Sequence, residues 1–186
     1  MKVAIFTPAY REQVHVRTAY TLGREVAWVL SRGGDAHPFY VAGCSVDRAR
    51  NYAVKQALAQ GFDLLLMIDA DVYVPDPRPA LDVLGGALDL GAGAAGAIVI
   101  GRDGRPNTGP NPGEVGTGLM LINLRAIAGI AGPWFKTELG PDGTTIECGE
   151  DLYFCRLLRR HGLDVRVVAN LETAHVGERY LVSRGE

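Results

Sequence analysis

Residues 64–71 read Leu64-Leu65-Leu66-Met67-Ile68-Asp69-Ala70-Asp71. A run of five apolar residues is typical of a parallel strand that is buried on both faces. Open parallel sheets bind ligands beyond the carboxyl ends of their strands, and paired carboxylates can hold a hard divalent cation that bridges a diphosphate. The run therefore predicts a ligand site at Asp69 and Asp71. The plainer alternative is a pair of acidic loop residues that only solvate a strand end.

Short apolar runs and helical patterns alternate on both sides of this stretch. Strands are predicted at 3–7, 38–41, 94–100, 117–123 and 165–168, and helices at 18–32, 45–61, 79–90, 124–130 and 150–161. Such alternation is typical of βαβ units. The sequence therefore predicts an α/β fold with a central, mostly parallel sheet flanked by helices, in a single domain spanning residues 1–186.

Composition excludes several classes of protein. The 186 residues include 19 basic and 21 acidic side chains, which argues against a general nucleic-acid binder or a membrane-surface protein. No apolar run reaches the roughly 18 residues that span a bilayer. The three cysteines lack CxxC spacing, so we expect free thiols in a reducing cytoplasm. The chain also lacks the glycine signatures of P-loop ATPases, classical dehydrogenases and α/β-hydrolases.

Three further places carry candidate chemistry. Glu150 and Asp151 open a helix, where acidic residues serve either as partners of the helix dipole or as a general base for a hydroxyl. His175 follows the last predicted strand; a lone histidine is more often a surface or core residue, but beside Asp71 it would favour a transition ion such as Mn²⁺. Arg50 lies early in a helix, either on a solvated face or in contact with a diphosphate.

Taken in order, these motifs resemble GT-A-fold (Rossmann-like) glycosyltransferases, in particular family 2 and its short bacteriophage relatives. The resemblance covers nearly the whole chain and rests on the segments 7–10, 49–51, 69–71, 116–122, 149–155 and 174–177. It implies a metal-dependent, inverting transfer of a sugar from a nucleotide-diphosphate sugar to an acceptor hydroxyl. About 1–100 would form the nucleotide-sugar-binding half, and about 101–186 the acceptor and catalytic-base half.

The same resemblance assigns roles to individual residues. Asp69, Asp71 and His175 would hold Mn²⁺ or Mg²⁺ with the diphosphate. Asp151 would be the catalytic base, and Glu150 would position the substrate. The residues that would contact the nucleotide-sugar are Thr7, Pro8, Ala9, Tyr10, Glu12, Arg50, Asn51, Asp69, Ala70, Asp71, Gly116, Thr117 and Gly118.

Two departures from the family concern the nucleobase. Arg11 stands where the family often has Asn, and residues 41–45 contain no acidic side chain. A UDP-sugar donor is favoured by family habit alone. The acceptor class stays open between a glycan, a protein and a modified nucleobase, and a homo-oligomer is left open. Two alternative functions remain: a non-catalytic nucleotide-sugar-binding module of the same fold, and a nucleotidyltransferase.

Glycine and proline are concentrated in one segment. The chain has 24 glycines and 10 prolines, and residues 101–116 contain eight of them. Such a composition argues against a regular element there. We expect this segment to be a lid that is mobile without donor and orders over it, or else an acceptor-binding loop.

Overall fold

The computed structural model describes residues 1–9, 12–88, 91–101, 103–176 and, for the backbone, 181–183. Eleven strands are formed: β1 (Lys2–Pro8), β2 (Asp35–Val41), β3 (Leu64–Ile68), β4 (Val72–Tyr73), β5 (Ala92–Ala97), β6 (Leu119–Asn123), β7 (Glu138–Leu139), β8 (Ile146–Cys148), β9 (Asp164–Val168), β10 (Ala174–Val176) and β11 (Leu181–Ser183). The helices are α1 (Val16–Ser31), α2 (Val46–Ala59), α3 (Ala80–Ala87), α4 (Leu124–Ile127) and α5 (Glu150–Arg160).

Six strands form a central sheet in the order β2-β1-β3-β6-β5-β9. The pairs β1–β2, β1–β3 and β5–β9 are parallel, whereas β6 runs antiparallel to both of its neighbours. The prediction of an α/β fold with a mostly parallel sheet is therefore confirmed. The sheet takes strands from both predicted halves of the chain, so the halves share one core.

The reversed strand β6 decides which loops meet. Because it is antiparallel to β3, Leu119 at its start pairs with Ile68 at the end of β3. One residue further out, the Asp69 backbone N–H donates to the Gly118 carbonyl at 3.0 Å. The segment that enters β6 therefore lies beside the carboxylates that leave β3.

Helices cover both faces of the sheet. Apolar residues of α2, α4 and α5 pack on one face, for example Phe154 against Phe6 and Met67 in one cluster. Helices α1 and α3 cover the opposite face, with Leu84 and Ile68 in the second cluster. Two-sided burial explains why β3 is uniformly apolar rather than alternating.

The sequence patterns miss the shortest strands. A second sheet has the order β11-β10-β4, and β7 pairs with β8. The predicted strand 94–100 begins and ends earlier, as Ala92–Ala97, and the predicted helix 79–90 spans Ala80–Ala87, with residues 89–90 outside the described part. Two- and three-residue strands are too short to show an alternating pattern, which is why β4, β7, β8, β10 and β11 were not predicted.

Cys44, Cys148 and Cys155 are free thiols. Among the described residues, no helix is long and apolar enough to cross a bilayer.

Helix α3 receives its N-terminal cap from another helix. Its own N-cap residue, Pro79, makes no side-chain cap bond, and the buried Glu25 of α1 instead accepts hydrogen bonds from the N–H groups of Ala80 and Leu81, both at 2.9 Å. These are among the donors that a helix cannot satisfy internally. Glu25 therefore fixes α3 to α1 and to the sheet beneath them.

Glu25→Ala is expected to lower the free energy of unfolding by about 3 kcal/mol, because two buried N–H groups lose their acceptor. Glu25→Gln, which keeps one acceptor oxygen, should lose about half as much. Urea denaturation of the two variants and the wild type measures both losses. Equal losses for the two substitutions, or a loss below about 1 kcal/mol for alanine, would contradict the capping role.

Candidate functional site

A cleft of about 1420 Å³ opens at the carboxyl ends of β1, β2 and β3. It is lined by residues 8–9, 12–16, 41, 44–46, 49, 69–71 and 176. The two carboxylates of Asp69 and Asp71 are at its polar end, whereas Val41, Val46 and Ala49 supply an apolar wall. Its size suits a nucleotide-sized ligand better than a single ion, because ordinary small-molecule pockets measure roughly 300–1,000 Å³.

Asp71, which lines this cleft, lies close to His175. The Asp71 Oδ2 and His175 Nε2 atoms are 3.3 Å apart. Strand β10 brings His175 there by pairing with β4, in register His175–Val72, and the Val176 N–H donates to the Asp71 carbonyl at 2.7 Å. Residues more than 100 positions apart are thus held together by backbone bonds.

The fit of this pair to a divalent cation can be tested on the structure. Two cis ligands in octahedral coordination lie about 3 Å apart, since each bond is about 2.1 Å long. The 3.3 Å separation of Asp71 Oδ2 and His175 Nε2 is close to that value. His175 Nδ1 is buried and has no hydrogen-bond partner among the described residues. By their separation, Asp71 and His175 fit as two ligands of one divalent cation, but Nδ1, unpartnered within the described residues, does not add to that fit, because a metal-binding histidine ordinarily donates its other ring N–H to a partner.

Asp69 does not join them as a third ligand. Within the described ranges, no three histidine, cysteine, aspartate or glutamate side chains converge as a metal-binding group. The Asp69 carboxylate instead accepts a hydrogen bond from Arg50 Nη2 at 2.9 Å. Of the three predicted ligands, Asp71 and His175 thus lie together, whereas Asp69 is bonded to a buried arginine; metal binding by any of them stays a prediction.

Arg50 also binds the first residue of α5. Its Nη1 atom lies 2.5 Å from Glu150 Oε1, so one guanidinium joins the end of β3 to the start of α5. The Arg50 side chain is only 4% exposed, compared with 30% for Asp69. A hydrogen-bonded pair buried to this degree interacts more strongly than a surface salt bridge.

Burial and charge act in opposite directions on these groups. Burial raises the pKa of Asp69, and the Arg50 charge opposes that shift. Burial likewise raises the pKa of Glu150 against the opposing effect of Arg50, while the neighbouring Asp151 charge raises it further. For Arg50 burial lowers the pKa, but Asp69, Glu150 and Asp151 together raise it above its ordinary value. Three carboxylates around one arginine are therefore electrostatically linked.

Asp151 lies in the first turn of α5, where the helix dipole favours a carboxylate. Its Oδ1 accepts from the Leu152 N–H at 2.8 Å. A Cβ placed on Gly116 would lie 3.0 Å from Asp151 Oδ2, and a Cβ on Gly118 would lie 3.6 Å from Asp69 Oδ2. The segment 116–118 therefore borders both Asp151 and Asp69.

The structure places the predicted contact residues at different depths. Pro8, Ala9, Glu12 and the segment 69–71 line the cleft, whereas Tyr10 lies outside the described residues. Thr7 and Thr117 are buried, and neither hydroxyl has a hydrogen-bond partner in the described part of the chain.

Asn51 has a structural role, contrary to the predicted donor contact. Its Oδ1 accepts from the N–H groups of Trp134 and Phe135 at 2.8 and 3.1 Å, and its Nδ2 donates to the Phe135 and Asp47 carbonyls. The bonds to Trp134 and Phe135 fasten the loop after α4 to α2, whereas the bond to Asp47 lies within α2. Consecutive helical residues point about 100° apart, so Arg50 and Asn51 contact different parts of the protein.

Sequence reasoning missed part of the cleft lining. His15, which precedes α1, donates its backbone N–H to the Ala70 carbonyl at 2.9 Å and so fixes the first loop to the 69–71 segment. Glu12 in this loop has a φ of 58°, a left-handed conformation that costs a non-glycine residue about 1–2 kcal/mol. Cys44 lines the same cleft. Glu12 was among the predicted contacts; for His15 and Cys44, which were not, the available signal was positional, since both lie in loops that leave parallel strands.

The glycine- and proline-rich segment 101–116 is more ordered than predicted. Isolated bridges join Ile100 to Pro106 and Thr108 to Val115. The buried Glu114 carboxylate accepts from Arg156 Nε and from Asn111 Nδ2, both at 2.8 Å, which ties the segment to α5. Residues 103–105, Pro110 and Pro112 are exposed and take no part in these contacts, whereas residues 114–116 are buried. Movement of the segment with donor stays a prediction.

A second anchor holds the chain that leads to His175. The Asp76 carboxylate accepts from Arg78 Nη2 at 2.7 Å and from the Glu172 N–H at 3.4 Å, while Arg78 Nη2 also donates to the Asn170 carbonyl at 2.5 Å. Because residues 170–172 directly precede β10, this anchor sets where His175 lies relative to Asp71.

Asp76 is expected to make stability depend on pH. Hydrogen bonds from Arg78 are the largest influence on its pKa, which is lowered to about 2. A carboxyl whose folded-state pKa lies below its unfolded value of about 3.9 stabilises the fold at higher pH, and that stabilisation disappears as the pH falls toward 2. Asp76→Asn should cost about 2 kcal/mol at pH 7 and progressively less below pH 4.

Urea titrations of the Asp76→Asn variant at pH 7, 4 and 3 measure that difference. The matched control is Asp82→Asn, because Asp82 forms an exposed pair with Arg32 at 3.8 Å, for which a cost below about 1 kcal/mol is expected. A cost for Asp76→Asn that did not change with pH would contradict the role of its charge.

Comparisons with known proteins bear on the fold. No protein family and no curated protein matches the sequence. The structure is similar to the crystal structure of A197 from STIV, with a TM-score of 0.68 and 17% identity over 100% of this chain and 95% of that one. Two chains with lower scores are a glycosyltransferase involved in the glycosylation of the major capsid of PBCV-1 (TM-score 0.43, 13% identity, 90% and 81% covered) and a 4-diphosphocytidyl-2C-methyl-D-erythritolsynthase from Anaerococcus prevotii DSM 20548 (0.49, 15%, 97% and 91%). Of these, the likeness to A197 is close enough to show a shared fold.

Proposed function

We propose that the chain is a metal-dependent, inverting glycosyltransferase that moves a sugar from a nucleotide-diphosphate sugar, with UDP-sugars favoured, to an acceptor hydroxyl. The observation that carries the proposal is that Asp71, which lines a nucleotide-sized cleft, lies 3.3 Å from His175. The 116–118 segment borders both Asp151 and Asp69, which is two residues from Asp71. In-line displacement at a sugar carbon needs the general base and the metal–diphosphate on opposite sides of the donor sugar, so the proposal assigns the donor sugar to the space beside this segment.

The roles follow from this placement. Pro8, Ala9 and the apolar wall of the cleft would hold the nucleoside. Asp151 would accept the proton of the acceptor hydroxyl as its oxygen bonds to the anomeric carbon. The bond from that carbon to the diphosphate oxygen breaks on the opposite side, and its electron pair leaves with the nucleoside diphosphate. Attack opposite the leaving group inverts the configuration of the anomeric carbon.

Mn²⁺ or Mg²⁺, when bound, would neutralise the developing charge on the leaving diphosphate. Asp71 and His175 would hold it, with Asp69 near enough to act through charge. Imidazole with carboxylate favours Mn²⁺ over Ca²⁺.

A thermal-shift screen of nucleotide-sugars with and without Mn²⁺ tests the proposal. A metal-dependent rise in Tm with one donor supports it, since a ligand that binds the native state stabilises the fold. No rise with any donor would favour a function outside this class. Pyrophosphate release from a nucleoside triphosphate and a sugar phosphate would instead indicate a nucleotidyltransferase, and binding without donor hydrolysis would indicate a non-catalytic module.

Cys44 provides a second readout, because its thiol lines the cleft. Alkylation by N-ethylmaleimide should be at least about 10-fold slower with donor and Mn²⁺ bound, as a nucleoside there would block access. Cys148 and Cys155 are buried, and burial raises the pKa of Cys155 to about 11, so both should react slowly with or without donor. Cys44→Ser identifies the modified site. Unchanged alkylation with a donor that raises Tm would place the nucleotide elsewhere.

The remaining parts of the proposal concern setting and partners. The three free thiols fit a cytoplasmic location, where cysteines remain reduced. The acceptor would be a glycan, a protein or a modified nucleobase that carries the attacking hydroxyl.

A further inference from the structure

We infer that Arg50 is a positioning residue that couples the proposed metal–diphosphate site to the placement of the base helix α5. The inference rests on the proposed function. Resemblance alone gives Arg50 a contact with the donor, whereas its two outer nitrogens bind carboxylates of the protein itself, Asp69 and Glu150.

The geometry makes Arg50 a link between two sites. Asp69 follows β3, and Glu150 begins α5, one residue before Asp151. A guanidinium is a planar, rigid fork, so occupying both outer nitrogens fixes the separation of the two carboxylates. A change at Asp69 is therefore transmitted to the first turn of α5.

Charge gives this link a direction. A divalent cation at Asp71 and His175 would lie two residues from Asp69 and would attract the same carboxylate that Arg50 binds. Weakening of the Arg50–Asp69 contact leaves Glu150 as the stronger partner of the guanidinium. Arg50 and α5 would then adjust together when metal and diphosphate bind, so that Asp151 is set only when donor is present.

Coupling of this kind is reciprocal, which makes it measurable without an acceptor. If metal binding strengthens the Arg50–Glu150 contact, then that contact must in turn strengthen metal binding. Neutralising Glu150 should therefore raise the Kd of the metal. In Glu150→Gln the guanidinium would remain on Asp69 and oppose the cation. The alternative explanation is a direct Coulomb attraction between Glu150 and the cation, which would persist whether or not Arg50 is present. Direct attraction predicts additive effects of the Glu150 and Arg50 substitutions on the metal Kd, whereas coupling through Arg50 predicts non-additive effects.

The experiment is a calorimetric titration of the full chain with Mn²⁺ in inorganic pyrophosphate, which supplies a diphosphate without a nucleobase. Wild type, Glu150→Gln, Arg50→Lys and the double variant form a cycle, with Arg48→Lys as the matched control, since Arg48 is an exposed residue of the same helix. We expect Glu150→Gln to raise the Mn²⁺ Kd at least about 5-fold in the wild-type background, within the usual range of coupling between sites. In the Arg50→Lys background the change should be less than 2-fold.

Hydrogen exchange of amides 149–153 in the wild type provides a readout that does not depend on a variant folding. Addition of Mn²⁺ and pyrophosphate should change their exchange rates at least about 3-fold, and Arg48→Lys should show the same response. Additive Kd changes, or unchanged exchange in α5 while Mn²⁺ binds, would overturn the coupling and leave the metal site intact. Failure of the wild type to bind Mn²⁺ would overturn both the metal site and the coupling.

Discussion

Asp151→Asn is expected to reduce kcat for sugar transfer by about 1,000-fold, within the range that a general base contributes. Asparagine fills the same space and can still accept from the Leu152 N–H, but it cannot take the proton of an acceptor hydroxyl. The Asp71–His175 pair and the apolar wall of the cleft are unchanged by the substitution. The Kd of the donor, measured calorimetrically with Mn²⁺, should therefore stay within about 2-fold of the wild-type value.

The control for Asp151→Asn is Asp47→Asn. Asp47 lies in the first turn of α2, so both substitutions remove an acidic residue from a helix N-terminus. Any loss that arises from the helix dipole alone should appear in both variants, at about 0.3–1 kcal/mol of stability. Equal reductions of kcat in the two variants, or equal losses of donor binding and turnover in Asp151→Asn, would remove Asp151 from the role of base.

Gly116→Ala is expected to reduce kcat by about 100-fold, because misplacing a reacting group by an ångström is enough to cause such a loss. The added methyl would lie 2.8 Å from Asn107 Nδ2 and 3.0 Å from Asp151 Oδ2. Asn107 cannot yield easily, since its Oδ1 accepts from the Val99 N–H at 2.7 Å. Either Asp151 or the segment must therefore move, at a cost of about 1–3 kcal/mol in stability.

Gly118→Ala is the matched control two residues away. There the methyl would meet Asp69, Val72 and Val99 side-chain atoms, each at 3.6 Å, which is ordinary van der Waals contact. We expect kcat and Tm of this variant to remain near those of the wild type, with steady-state kinetics and thermal denaturation as the measurements. If Gly118→Ala were as harmful as Gly116→Ala, the segment would be intolerant of any side chain and the clash with Asp151 would not be the cause.

Local sequence was sufficient for the features that depend on one element. The apolar run of β3 predicts Asp69 and Asp71 at a strand end, and the pattern of α5 predicts Asp151 in its first turn. In each case the residue's position follows from the secondary structure that carries it. No knowledge of which helix packs on which face was needed.

Contacts between distant elements could not be predicted in this way. Arg50 and Glu150 are 100 residues apart, and their pairing depends on α2 and α5 sharing one face of the sheet. The anchor at Asp76 likewise depends on residues 170–172, which are distant in sequence, lying beside Asp76 and Arg78 in the fold. Segment 101–116 was expected to move because its composition is rich in glycine and proline, but the buried Glu114 fixes part of it to α5 through a contact that composition does not reveal.

Because β6 runs antiparallel to both of its neighbours, the chain between β5 and β6 can vary without altering the parallel strands. Since β6 enters the sheet where β3 leaves it, the connection from β5 reaches the cleft from outside the parallel units. Insertions among the exposed residues 103–106 would lengthen a path that contributes no strand of the central sheet. A longer connection there would therefore leave the carboxylates after β3 and the sheet that carries them as they are.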